Sequence, residues 1–171
     1  MPRQLAVDAR DLEKRFYALS RQLHPDLFSR KPAREQEYAL EASAVLNDAY
    51  RALKDPIARV LYVLKQEGFD IVEQGTKDVP PELLEEVFEL NMALEELRGG
   101  DEDAMSQLQT ARRRFENMRN EIDAAMEGRF AEWDASHDRA TLDQIRALLN
   151  RRKYITNLIA RTDEAHVSDR I

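Results

Sequence analysis

Three groups of residues could do chemistry or recognition in this chain. The first is His24-Pro25-Asp26. A histidine can hydrogen-bond, a proline stiffens the turn it enters, and an aspartate offers a carboxylate to a basic site. Taken alone, the tripeptide reads equally as an ordinary helix-ending turn with a polar tip. The second group is Arg10, Lys14, Tyr17 and Arg21, repeating at helical spacing along one face just before the tripeptide. The third is an acidic stretch. From Val79 to Asp103 there are nine acidic side chains and one basic, a net of −8, whereas Met1 to Arg34 holds eight basic and four acidic, a net of +4. Opposite patches can guide two different partners to two different surfaces; both can also be plain solvated helix faces. Within the acidic stretch, Leu84, Phe88 and Glu89 fall on one helix face. They form either an apolar anchor with an acidic rim or part of a bundle core.

Other chemistries find little support. The chain has no cysteine, which removes disulfides, thiolate metal sites and cysteine nucleophiles together and fits a reducing compartment. A carboxylate-bridged metal pair needs glutamates and Glu-x-x-His pairs on facing helices. Asp134 with His137 and Asp163 with His166 have the spacing but no partner set. No metal or other cofactor, and no catalytic residue, is expected. The basic row is short and the net charge is −7, against nucleic-acid binding. No apolar run approaches the roughly 20 residues that cross a bilayer, and the N-terminus has no signal-peptide pattern. A cytoplasmic monomer is the expectation.

The elements that carry these groups read as all-α. Only 5 Gly and 6 Pro occur among 171 residues, 43% of which are apolar, and no alternating run suits a strand. Asp8 caps a first helix, helped by Asp11 and by a Val7–Leu12 staple. Its expected apolar stripe is Leu12, Phe16, Leu19 and Leu23. Pro25 ends it, and Asp26 to Ala33 is a loop. A second helix is expected from about Arg34 to Leu53, with Tyr38, Ala42, Leu46, Ala49 and Leu53 inward and Tyr50 beside them. The two make an antiparallel hairpin. Asp55-Pro56 opens a short third helix that ends near Glu67, with Gly68 as a left-handed cap and Phe69 as its apolar contact. Residues 1–70 thus form one domain and the polar segment 71–79 a linker.

Residues 80–171 read as an up-down-up three-helix bundle. Its first helix runs from Pro81 to about Arg98. Its second is capped by Asp101 or Asp103, has the stripe Leu108, Ala111, Phe115, Met118, Ile122 and Ala125, and bends at Gly128. Its third runs from about Asp138 to Thr162, with Leu142, Ile145, Leu149, Ile155, Leu158 and Ile159 apolar and a frayed tail after Glu164.

With the tripeptide at the tip of a helical hairpin, Leu23-His-Pro-Asp-Leu-Phe28, preceded by Leu12-Glu-Lys-Arg-Phe16 and followed by Leu46-Asn-Asp-Ala-Tyr50-Arg-Ala-Leu53, resembles a J-domain. Asp55-Pro56, Arg59, Tyr62-Val-Leu64, Gly68-Phe-Asp70 and Glu89-Leu-Asn91 resemble one subfamily, the HscB co-chaperones of iron–sulfur cluster assembly, over nearly the whole chain. The resemblance implies that His24, Pro25 and Asp26 stimulate ATP hydrolysis by an HscA-like, DnaK-class chaperone, with Arg10, Lys14, Tyr17 and Arg21 steering the encounter. It implies a second partner, an IscU-like iron–sulfur scaffold protein, docking on Leu84, Glu85, Phe88, Glu89, Met92, Glu96 and Tyr154. Glu85 departs from the apolar residue of the family pattern, Met92 from an acidic one, and Tyr154 from the usual phenylalanine. The family also has a short first helix ending in Gly-Leu-Pro. Pro2 matches that proline, so the resemblance implies a J-domain hairpin without its first helix, with apolar surface of Phe16, Leu19 and Leu46 uncovered. The alternative is an adaptor that binds the scaffold through the acidic helix while its J-like part is inactive.

Overall fold

A computed structural model describes residues 3–69, 81–99 and 102–168. Every regular element among them is helical: α1 (Ala9–Leu23), a 3-10 turn (Pro25–Phe28), α2 (Ala33–Lys54), α3 (Pro56–Gln66), a 3-10 turn (Pro81–Leu83), α4 (Leu84–Arg98), α5 (Glu102–Ser136) and α6 (Arg139–Ser168). The expected linker 71–79 lies outside the described residues, as does Asp101, one of the two candidate caps of α5. The chain divides into two compact units, Met1–Ile71 with Trp133–Ser136, and Val72–Glu132 with His137–Ile171.

In the first unit, Asp8 caps α1 by accepting from the N–H groups of Arg10 and Asp11 at 2.8 and 3.1 Å, satisfying donors that helix geometry leaves orphaned. Asp11 reaches forward to Arg15 at 2.8 Å. Helices α1 and α2 pair through Phe16 stacked on Tyr50, ring centroids 4.1 Å apart, and through Ser43, whose hydroxyl donates to the Leu23 carbonyl at 2.8 Å. This register corrects both expected stripes. On α1 the partly buried row is Leu12, Phe16, Ser20 and Leu23, while Leu19 sits on the flank, 45% exposed. On α2 the inward row is Ala39, Ala42, Ser43, Leu46 and Tyr50; Tyr38, Ala49 and Leu53 turn outward. A polar serine facing the partner helix satisfies a carbonyl at the end of α1, which an apolar-only stripe cannot do.

Helix α3 starts as its sequence dictates. Asp55 accepts from Ile57 N–H at 2.8 Å, and Pro56 occupies the first helical position. It ends in a left-handed cap: Gly68 has φ +72°, its N–H donates to the Lys65 carbonyl, and Phe69 N–H donates to the Leu64 carbonyl. Phe69 is buried, supplying the apolar contact of this cap. The buried residues of this unit include Leu5, Val60, Val63, Leu64 and Trp133. Asp134 accepts from the backbone N–H groups of Leu5 and Ala6 at 2.6 and 2.8 Å, so it is a tether for the segment ahead of α1 rather than half of a metal motif.

In the second unit, Leu83, Leu90 and Ala93 pack with Leu108, Phe115, Ile122, Ile155, Leu158 and Ile159. Helices α5 and α6 run antiparallel, riveted by Arg112 with Asp163 and by Arg152 with Asp123. Residue numbers in the two pairs add to the same value, so one register holds along the interface. The expected α6 stripe is buried throughout, but the helix continues to Ser168 instead of fraying after Glu164. Helix α5 passes unbroken through Gly128. Ala125 is exposed and Met126 takes the core position, because a 3.6-residue period advances Ile122 to 126 as readily as to 125. His137, at φ 52°, makes the turn into α6.

Gly68 generates a test. A Cβ there meets nothing within 4 Å, so Gly68→Ala carries only the left-handed backbone strain. It is expected to destabilise the first unit by about 1 kcal/mol, read by urea unfolding or by hydrogen exchange of α3 amides.

Candidate functional site

His24 adopts φ −61°, ψ 127°, the extended geometry that a following proline imposes. This stops α1 and starts the 3-10 turn, whose first N–H is capped by the histidine itself: Asp26 N–H donates to His24 Nδ1 at 3.3 Å. With Nδ1 as acceptor, the neutral ring carries its proton on Nε2, the nitrogen left for an outside partner. The Asp26 carboxylate is 3.5 Å from the same Nδ1 and pairs with it only if the ring is protonated. The side chains of His24 and Asp26 are 56% and 89% exposed, while Pro25 is partly buried. The turn is held from behind by Ser29, which donates to the Asp26 carbonyl at 2.9 Å, and by Gln36, which donates to the carbonyls of Ser29 and Lys31.

Arg10, Lys14, Tyr17 and Arg21 are all exposed on α1. Arg10, Lys14 and Arg21 make no ion pair among the described residues, whereas Arg15, off this row, is paired. The row therefore presents uncompensated positive charge leading to the tip. Leu27 extends the exposed surface at the turn.

The second cluster lies on α4. Leu84, Phe88 and Met92 are 54%, 64% and 47% exposed and spaced four apart, so they form one outward apolar row. Of the two readings of Leu84 and Phe88 the core one is not met: the core takes Leu83, just ahead of α4, and Leu90 and Ala93 on it. Glu85 is exposed beside the row. Glu89 accepts from Arg114 at 3.3 Å, and Arg114 also holds Glu86 at 2.9 Å. Glu96 is partly buried. Tyr154, on α6, packs against the bundle core. Two contacts fix its level. Arg151 reaches Glu82, and Arg161 donates to the Asn91 side chain, so α6 runs parallel to α4 with Tyr154 at a level between those crossings. Burial raises the Tyr154 phenol above its ordinary pKa, and the Arg161 charge partly opposes this. The bridging residues Glu86, Arg114, Arg151 and Arg161 escaped the sequence reading, since cross-helix pairs are visible only once a register is known.

The family profile described as the HSCB C-terminal oligomerisation domain matches residues 79–163. The co-chaperone protein HscB homolog of Vibrio vulnificus (strain YJ016) is 36% identical over 142 residues, covering 81% of this chain and 82% of that protein. The chain belongs to the HscB co-chaperone family. The mouse iron–sulfur cluster co-chaperone protein HscB is 29% identical over 157 residues, which span 91% of this chain and 62% of the mouse protein. Among solved structures, the chaperone HscB from Vibrio cholerae superposes with a TM-score of 0.67 at 25% identity, covering 98% of this chain and 94% of that one. Human co-chaperone HscB superposes at 0.70, covering 97% and 78%; at 23% identity it speaks for the fold. The fold matches these HscB structures, and every regular element among the described residues is helical. No described helix is long and apolar enough to cross a membrane.

The raised Tyr154 pKa gives a checkable titration. The folded state holds the phenolic proton more tightly than the unfolded chain. The stability it contributes is thus complete below the unfolded value of about 10 and is lost as pH rises through the folded value. Subtracting the tyrosinate absorbance titration of Tyr154→Phe from that of the parent should isolate one group ionising above the ordinary range.

Proposed function

We propose that this HscB-family chain is a two-ended co-chaperone. One end stimulates ATP hydrolysis by a DnaK-class chaperone of the HscA type, and the other binds an IscU-like iron–sulfur scaffold protein and brings it to that chaperone. The observation that carries the reading is that two chemically opposite surfaces are both left open: a basic row ending in exposed His24 and Asp26, and an acidic helix with exposed Leu84, Phe88 and Met92. Neither is used up by internal packing.

At the hairpin tip the chemistry is indirect. Arg10, Lys14 and Arg21 raise the encounter rate with an acidic chaperone surface, and Tyr17 adds contact area. Pro25 and the Nδ1 cap hold the turn, so the His24 Nε2–H and the Asp26 carboxylate meet the partner already oriented, with little ordering cost. Their effect on hydrolysis is a shift in the partner's conformational equilibrium. On α4, Phe88 is the apolar anchor, Leu84 and Met92 flank it, Glu85, Glu89 and Glu96 form the acidic rim, and Tyr154 extends the surface onto α6.

Single-turnover ATP hydrolysis by the cognate chaperone tests the first end. His24→Gln, folded like the parent by circular dichroism, should lose most of the stimulation; equal stimulation would overturn the role of the tip and leave a scaffold-binding adaptor. Calorimetric titration with the scaffold protein tests the second. Phe88→Ala should weaken binding by about 2 kcal/mol, roughly 30-fold, and unchanged affinity would remove this face from the interface.

A further inference from the structure

His24, Pro25 and Asp26 lie between two peptide planes, and side chains hold both. The first plane joins Leu23 to His24. Its carbonyl is one of the last of α1, an acceptor that an ending helix leaves without an intrahelical donor. The Ser43 hydroxyl, on α2, donates to it at 2.8 Å. A peptide group is rigid, so fixing this carbonyl fixes the direction from which the chain enters His24. The second plane joins Asp26 to Leu27. Its carbonyl accepts from the Ser29 hydroxyl at 2.9 Å and from the Ser29 N–H at 3.3 Å. Ser29 is held in turn: the Gln36 amide, also on α2, donates to the carbonyls of Ser29 at 3.3 Å and Lys31 at 2.8 Å.

Gln36 and Ser43 are seven residues apart, two helical turns, so they share one side of α2. Ser43 serves the entrance of the tip and Gln36 its exit. No residue of α1 or of the 3-10 turn is buried, so apolar packing does not substitute for these bonds. We propose that Ser43 and Gln36 are positioning residues for chaperone stimulation. They hold the backbone on either side of the tip, so that the His24 imidazole and the Asp26 carboxylate meet the partner in one arrangement. Neither needs to touch the chaperone. They act by lowering the ordering cost of engagement. Their loss therefore falls on the concentration at which stimulation is half complete, and not on the rate reached at saturation. This rests on the reading of the tip as the chaperone-stimulating end, and adds α2 to the elements on which stimulation depends.

Single-turnover ATP hydrolysis by the cognate chaperone, measured against the concentration of the full chain, separates the two quantities. Gln36→Met keeps the side-chain length and removes the N–H donors. Ser43→Ala removes the hydroxyl and Ser43→Thr keeps it. Ser43→Ala should raise the half-stimulating concentration about fivefold, and the more exposed Gln36→Met about threefold, the range expected for single neutral hydrogen bonds. The saturating rate should not change, nor the salt dependence that Arg10, Lys14 and Arg21 set. Ser43→Thr should match the parent. Without the chaperone, the Leu27, Ser29 and Lys31 amides of Gln36→Met should exchange faster with solvent while α3 amides keep parental protection, a pattern that a loss of global stability does not give. Parental half-stimulating concentrations for both Gln36→Met and Ser43→Ala, or a saturating rate that falls with them, would overturn the positioning role. The tip reading then still stands if His24→Gln loses stimulation in the same assay. If His24→Gln stimulates like the parent, the tip reading itself fails.

Discussion

A helix in a three-helix bundle can turn only one side to the core, and α4 has two apolar rows. Val87, Leu90, Leu94 and Leu97 form the longer one, continued by Leu83 from the turn ahead of the helix and with Ala93 beside it; Leu84, Phe88 and Met92 form the other. Burying apolar surface is worth roughly 25 cal/mol per Å², so the longer row goes inward against Phe115, Ile122, Ile155 and Leu158. The shorter row is then left to solvent by the 100° step of the helix. The two arginines that lean on α4, Arg114 from α5 and Arg161 from α6, hold that choice of face. What is exposed on α4 follows from what its neighbours need buried.

The hairpin solves a different problem. No residue of α1 or of the turn at its tip is fully buried, so packing does little to order the tip. The backbone supplies the rigidity: Pro25 fixes its own φ and constrains His24, the imidazole caps the next turn, and Gln36 ties the far side of the loop to α2. The Phe16–Tyr50 stack and the Ser43 hydrogen bond then set the register that keeps Arg10, Lys14 and Arg21 together on the side away from the Phe16 contact. The same His24 that is offered outward through Nε2 is therefore a structural cap through Nδ1.

Much of this was legible in the sequence, and the misses have physical causes. Asp8, Asp55, Pro56 and Gly68 announced helix ends correctly because caps act over a few residues. The α6 stripe was read correctly because its apolar residues admit one face. The stripes of α1 and α2 were partly misread at Leu19, Tyr38, Ala49 and Leu53. There the inward row includes Ser20 and Ser43, and hydrophobicity alone steers past serines. Ala125 was chosen over Met126 because both suit the period. On α4 the sequence left core and surface open, since two apolar rows on one helix are decided by neighbours. The Asp134 tether and the Arg114 fork link residues too far apart in the chain for spacing to reveal them.

Among the described residues of α1 and α2, only Ala39 is fully buried. Regions with so few buried apolar contacts open at a fraction of the global free energy. The hairpin should thus fluctuate between closed and frayed states while the bundle, whose buried core includes Leu90, Phe115, Ile122, Ile155 and Leu158, stays shut. A partner that grips only the closed hairpin adds its own binding free energy to the stability of that state. If the tip engages a chaperone as proposed, it becomes a sensor of occupancy as much as a ligand: engagement would tighten α1 against α2, and release would loosen them again.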